Sequence, residues 1–161
     1  MTRDVIILVG SMGGVAELAA EDMAEELRFE DYSATVMRME QAGLETFDLD
    51  ALFIVCTSSC GEGAIPLNGR PLFGALEIER PDLGHVHFSV FALGDREHHA
   101  ATFCFAGHKF DRLLDDLGAR RFALIGEHDA GGGVTPEDAA RHWVRRWIMT
   151  DRPTWWTASA I

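Results

Sequence analysis

Three short stretches of this sequence carry residues whose types and spacing could do chemistry. The first, GSMGGVAE at Gly10–Glu17, ends an apolar run and opens a helical one. Successive backbone N–H groups at a helix N-terminus bind an anion without a cationic side chain. Gly13 and Gly14 let the backbone come close to such an anion. Both the Gly-Lys-Ser/Thr ending of a nucleoside-triphosphate loop and the GxGxxG of a dinucleotide loop are absent. A terminal monophosphate fits better than a pyrophosphate, and the competing reading is a tight turn that binds nothing.

The second stretch is TSSCGEGAIPLN, Thr57–Asn68. Its small and hydroxyl residues precede Gly61 and Gly63, which permit a turn whose peptide can flip and lie against a flat ligand. The third, LGDREHHAATFC at Leu93–Cys104, carries Asp95, His98, His99, Phe103 and Cys104. Four metal-ligand side chains on one loop, a paired His beside Cys and Asp, invite a metal reading, but such crowding without partners elsewhere is a weak signal. An exposed histidine pair is the plainer alternative.

These stretches must be held by the elements around them. Continuously apolar runs at Asp4–Gly10, Ala51–Thr57 and His85–Gly94 read as parallel strands covered on both faces. Ser33–Met39 reads as a more exposed strand, and Arg120–Gly126 as a fifth. Between them lie helix-period segments. Val15–Leu27 places Val15, Leu18, Ala19, Met23 and Leu27 on one face, and Pro66–Glu79 forms a short helix closed by Pro81. Thr102–Leu117 offers Phe105, Phe110, Leu113, Leu114 and Leu117 to a core. Thr135-Pro136-Glu137-Asp138 has the cap, proline and acids of a helix start, with Trp143, Trp147 and Ile148 following as an apolar stripe. Strands alternating with helices predict an α/β fold with a parallel sheet, and ligands then sit beyond the carboxyl ends of the strands. All three stretches fall there.

Composition bounds the partners. The 161 residues predict one domain over 1–150 with a tail at 151–161, whose Trp155 and Trp156 read as packing onto the body or another subunit. Net charge is −12, with no basic stripe, which disfavours nucleic acid and anionic membrane surfaces and suits a partner with a basic docking patch. The three cysteines, Cys56, Cys60 and Cys104, form no CxxC pair, disulfide framework or zinc knuckle. Neither a leader nor a membrane-length apolar run is visible, so the expected compartment is a reducing cytoplasm and the expected state a monomer or weak dimer.

In order and spacing, the three loops resemble those of the flavodoxin family, most closely its small MioC-type members. GSMGGVAELAAE is similar to the family's phosphate loop and first helix, SSCGEGAIPLN to its Gly-rich second loop, and FALGDREHHAATFCFAGHKFDRLLDDLGARR to the stretch from Leu-Gly-Asp onward. The likeness runs from Asp4 to about Trp147. It implies a three-layer sandwich around a five-stranded sheet of order 2-1-3-4-5, with non-covalent FMN and electron transfer. Ser11, Met12, Gly13, Gly14, Val15 and Ala16 would wrap the phosphate. Ser58, Ser59, Cys60, Gly61 and Gly63 would line one side of the isoalloxazine. Leu93, Gly94, Asp95, His98, Phe103 and Cys104 would line the other, with Asp129 near the far rim.

The departures from that pattern are specific. Met12, Gly13 and Val15 supply no hydroxyl where the family's loops usually supply several, and each lost bond to a charged phosphate costs about 1.5–3 kcal/mol. Cys60 stands where a stacking aromatic or histidine is common, Ala64 and Leu67 where aspartates are, and the stacking tyrosine's place falls to His98 or His99. The expected function is an FMN carrier shuttling electrons between redox partners, more a carrier than a stand-alone enzyme. Two alternatives stand beside it: a flavodoxin-fold regulatory module with little FMN affinity, and a thiol-redox role for Cys60 and Cys104.

Overall fold

The computed structural model describes residues 3–149. The tail with Trp155 and Trp156 lies outside them. The apolar runs form a central parallel sheet: β1 (Arg3–Gly10), β2 (Tyr32–Arg38), β3 (Leu52–Thr57) and β4 (His87–Gly94), joined at one edge by β5 (Arg120–Arg121) and β6 (Gly126–Asp129). The order is β2-β1-β3-β4-β5, with β6 also pairing β4. Four helices cover it: α1 (Val15–Phe29), α2 (Arg70–Glu79), α3 (Phe105–Asp116) and α4 (Pro136–Met149).

Period-two alternation sorts the strand residues between two cores. Val5, Ile7 and Val9, with Ile54 and Cys56, face α1 and α4, while Ile6, Leu8, Phe53 and Val55 face α2 and α3. Both faces of β1 and β3 are therefore buried, as their unbroken apolar runs require. Arg141 and Arg145 of α4 reach Asp22 and Glu26 of α1 at 2.8 and 2.6 Å, aligning the two helices on their shared face.

Three expectations change. The fifth strand is not continuous over Arg120–Gly126. Arg121 pairs Phe88 and Gly126 pairs Phe91, so four residues of one strand stand opposite Ser89 and Val90. The excess bulges out, turning Phe122 into one core and Ile125 toward the other, with Leu124 in solvent. Side chains take up the freed carbonyls: Ser89 Oγ donates to Ala123 O and Trp143 Nε1 to Leu124 O, both at 3.0 Å. On α1 the buried face is the alanine side, Ala16, Ala19, Ala20 and Ala24 with Met23 and Leu27, and Val15 and Leu18 are exposed. Alanines let α1 sit close to both sheet and α4, so the larger residues are turned outward. Phe105, at the first turn of α3, is likewise exposed, whereas Phe110, Leu113, Leu114 and Leu117 are buried.

Candidate functional site

The carboxyl ends of β1, β3, β4 and β6 release four loops at one edge of the sheet. Between β1 and β3 the chain winds in opposite directions, α1 going to one face and α2 to the other. Such a switch point opens a crevice.

The first loop is a tight, internally bonded turn. Gly10 lies so close to β3 that a Cβ there would stand 2.5 Å from Thr57 Oγ1. Ser11 is buried, and its Oγ accepts the Gly14 N–H at 2.9 Å, leaving its own O–H to donate outward. Gly14 caps α1 at φ +84 with no side-chain acceptor for the first-turn amides, which have no intrahelical partner either. Space in front of Gly13 and Gly14 is clear: a Cβ on either meets nothing within 4 Å. Met12 and Val15 are exposed, while the Ala16 side chain is buried beneath the helix.

Asn68 pins this loop from the second one, a tie that spacing alone does not reveal. Its Oδ1 accepts the Ser11 N–H at 3.0 Å, and its Nδ2 donates to Val9 O at 3.0 Å and to Glu40 Oε2 at 2.9 Å. That amide, ahead of Arg38, holds the Glu40 carboxyl below its ordinary range. Arg38 spans the Glu17 and Glu40 carboxylates at 2.9 and 2.6 Å, so its guanidinium is already engaged by two acids.

In the second loop Cys60 and Ala64 bond as a small antiparallel bridge, folding Gly61 (φ +47) and Gly63 (φ +90) into a turn. Gly61 faces open space. Gly63 faces inward, where a Cβ would stand 2.5 Å from Phe105 Cβ, and its carbonyl accepts from Lys109 Nζ at 3.0 Å. The Ser59 hydroxyl accepts the Ala106 N–H at 3.1 Å, doing for α3 the capping that its left-handed Cys104 cannot.

The third loop turns on Asp95. Its Oδ1 accepts the N–H groups of Glu97 and His98, and its Oδ2 lies 2.7 Å from His98 Nδ1. The His98 bond, chief among these, keeps the Asp95 carboxyl below the ordinary range. His98 is thus turned back onto its own loop, and His99 is the histidine that faces the crevice. Phe103 lies under the Arg96 guanidinium, 4.1 Å from its ring centre. The Cys104 thiol is buried beneath Ala92 O and pushed up to about 12, mainly by that burial, with Glu127 next. A thiolate at Cys104 is strongly disfavoured, which removes one partner from the thiol-redox reading.

A fourth loop, Ala130–Thr135, closes the crevice and extends the three read from the sequence. Asp129 does not line the crevice. It ties the third and fourth loops, accepting from Arg96 N and Gly131 N at 3.1 Å, and the Arg96 bond leads the causes holding its carboxyl low. Buried His128 sits 2.6 Å through Nε2 from Val134 O, fixing the loop from beneath. The run Gly131-Gly132-Gly133 after a strand was the available signal.

Together the four loops enclose a cavity of about 600 Å³, within the usual range for small-molecule and cofactor sites. Its wall includes Val15, Ser58, Ser59 and Gly61 on one side, and Leu93, Gly94, Asp95 and Cys104 on the other. His99, Thr102 and His128 also line it, with Val134 and Pro136 from the fourth loop and α4. Ser11, Met12, Gly13, Gly14 and Ala16 lie beside the cavity on the α1 turn, with Val15 joining the two. Cys60, Gly63, His98 and Phe103 are not among the residues that line it. Among the described residues no group of three or more metal-ligand side chains is clustered. No helix there is long and apolar enough to cross a membrane.

Comparison with known proteins agrees with this geometry. Residues 7–143 match the family described as Flavodoxin. Protein MioC of Escherichia coli O157:H7 is 34% identical over 150 residues, covering 90% of this chain and 96% of that protein. NADPH oxidoreductase A of Dictyostelium discoideum is 33% identical over 120 residues, which is 73% of this chain but 19% of that longer protein. A cysteine-to-serine mutant of flavodoxin from Pseudomonas aeruginosa superposes with a TM-score of 0.80 at 30% identity, over 92% of this chain and 98% of that one. The chain belongs to the flavodoxin family, the FMN-binding electron-transfer proteins of this fold.

Proposed function

We propose that this chain holds FMN at the four-loop crevice and carries electrons between two protein partners. The observation that carries the reading is the continuity of the α1 N-terminus with the cavity through Val15. An anion at the helix end and a flat ring in the cavity fit one ligand of phosphate-plus-ring shape. Bound FMN supplies the chemistry, taking up and releasing one or two electrons.

The chain's own part is to bind, orient and screen. First-turn amides of α1 and the O–H of Ser11 would donate to the phosphate. Ser58, Ser59 and Gly61 would lie along one side of the ring, with Leu93, Gly94, His99 and Cys104 along the other. Leu93 and Val134 would keep water from it. Asp95 in the crevice wall, with Glu62 and Glu97 on the second and third loops, would give the site an acidic character that disfavours an added negative charge and suits a basic docking surface on a partner. No residue here needs to act as acid, base or nucleophile.

The test is an FMN titration followed by flavin fluorescence. A sub-micromolar Kd, about −8 kcal/mol or better, is expected, with tightness lost when Gly14 is replaced by valine. Absence of quenching at tens of micromolar FMN refutes the reading. One observation favours the regulatory-module alternative: a loop with a single hydroxyl, flanked by Glu17 and Glu40 and sharing one cation, is a weak phosphate site by side-chain chemistry. That alternative predicts the failed titration.

A further inference from the structure

A second concavity lies away from the crevice, on the outer face where α2 meets α3. From α3 it takes Phe105, Lys109, Arg112 and Asp116, and from α2 Phe73 and Glu77 with Arg80 just past its end, spacings that set one stripe of each helix toward the other. Its volume is about 390 Å³. The floor is aromatic: Phe73 packs edge-on to Phe110 with ring centres 5.1 Å apart, and Phe105 is 42% exposed.

Its charge runs against that of the molecule. The chain carries −12 overall, yet the groove gathers three permanent cations against two carboxylates. Arg38, Arg96, Arg121, Arg141 and Arg145 are engaged by acids elsewhere. Among the described residues, neither Arg80 nor Arg112 stands within ion-pair distance of an acid. His108 at the groove's edge is taken by Glu127 at 3.0 Å, and Lys109 Nζ meets only the neutral Gly63 carbonyl. Two unpaired guanidiniums beside exposed phenylalanine are a recognition surface in composition.

We propose that this groove docks an acidic segment of a partner protein bearing an aromatic or large aliphatic side chain. The apolar residue would seat on Phe73 and Phe105, and one or two carboxylates would pair with Arg80 and Arg112. Glu77 and Asp116 in the same wall favour an occupant of modest negative charge over a polyphosphate. The site is distinct from the basic partner surface proposed for the crevice rim, and it does not depend on FMN being bound. Its inner wall, Phe105 and Lys109, is the same pair that braces Gly63, so the occupant lies next to the second loop.

Anisotropy of a fluorescein-labelled peptide with two carboxylates, Gly-Asp-Trp-Ser-Asp-Leu-Gly, titrated with the full chain tests this. Arg80→Glu and Arg112→Glu should each weaken binding roughly fivefold or more, as sign reversal in an exposed ion pair does. Arg120→Glu, a reversal on β5 outside the groove lining, should leave it unchanged. Added salt should weaken binding by screening. Equal loss in Arg120→Glu, no loss in the groove variants, or equal binding of a Gly-Lys-Trp-Ser-Lys-Leu-Gly peptide overturns the proposal. Displacement by tripolyphosphate at the peptide's own concentration overturns the choice of a peptide occupant. Arg112→Gln, milder than reversal, covers the case in which a glutamate perturbs folding. FMN titrations of the same variants should match the parent, so a chain that binds no FMN can still pass or fail here independently.

Discussion

Replacing Asn68 by alanine tests whether the first loop is shaped by the second. The side chain makes three bonds: it accepts from Ser11 N–H, and donates to Val9 O and Glu40. Water can replace the Glu40 bond, which is exposed, but the two backbone bonds are half-buried. At about 0.5–1.5 kcal/mol each, their loss costs about 1–3 kcal/mol. For a domain of this size a 2 kcal/mol loss lowers Tm by about 4–8 °C. The Glu40 carboxyl, held low first by the Asn68 amide, should move up toward the ordinary glutamate range. FMN affinity should fall about tenfold for every 1.4 kcal/mol of loop ordering that binding must now supply. Asn68→Asp is the informative companion. It keeps the acceptor for Ser11, loses the donor to Val9 and sets a carboxylate beside Glu40, so it should be destabilised at pH 7 and partly recover near pH 4. Thermal unfolding, NMR titration of Glu40 and flavin quenching read the three effects. A Tm within 1 °C of the parent together with an unchanged FMN Kd would refute the account.

Three further outcomes follow from named contacts. Gly63→Ala combines a left-handed backbone with a Cβ 2.5 Å from Phe105 Cβ and should destabilise by about 2–5 kcal/mol. Gly61→Ala, with open space, should cost only the backbone share, and chemical denaturation giving equal losses would contradict the packing described. A thiol reagent at pH 8 should label one cysteine per folded chain, Cys60, because Cys56 and Cys104 are buried; mass spectrometry showing fast labelling of Cys104 would contradict that burial. Stability should fall as pH rises above about 9. The folded Cys56 and Cys104 thiols titrate at about 12, so in that window the unfolded chain loses protons the folded one keeps. Burial alone raises Cys56, and each pH unit costs up to about 1.4 kcal/mol on its account. Urea midpoints of Cys56→Ala, flatter between pH 9 and 10.5 than the parent's, would bear this out, and an unchanged slope would not.

What the sequence disclosed and what it hid have physical reasons. Strands β1, β3 and β4 were legible because burial on both faces leaves an unbroken apolar run, and the three loops because glycine and hydroxyl residues cluster where the backbone must turn at the carboxyl ends of the strands. The bulge at Phe122–Ile125 was hidden, since Arg-Arg-Phe-Ala-Leu-Ile-Gly satisfies strand patterning whether or not two residues are in excess. The exposed face of α1 was misread because Val15 and Leu18 outweigh alanine on any hydropathy scale, while close packing against α4 prefers the alanines. At the site, local spacing could not tell His98 from His99. Only the Asp95 carboxylate, folding back on its own loop, turns one of them away. Asn68 was invisible as a site residue because its partners Ser11 and Val9 are 57 and 59 positions away.

The same contacts bear on the phosphate role proposed for a loop so poor in hydroxyls. Affinity depends on donors present and on the cost of ordering them, and rigidity reduces the second. Ser11 Oγ fixes Gly14, Asn68 fixes Ser11, and Gly10 is locked against Thr57, so the amides of the first turn are set before any ligand arrives. Glu17 would oppose an anion at that helix end, but Arg38 draws its carboxylate to 2.9 Å and offsets its charge. Removing Arg38 would therefore harm phosphate binding without its ever touching the phosphate. Adding a hydroxyl by Met12→Thr should improve it, because the scaffold for one more donor is already in place.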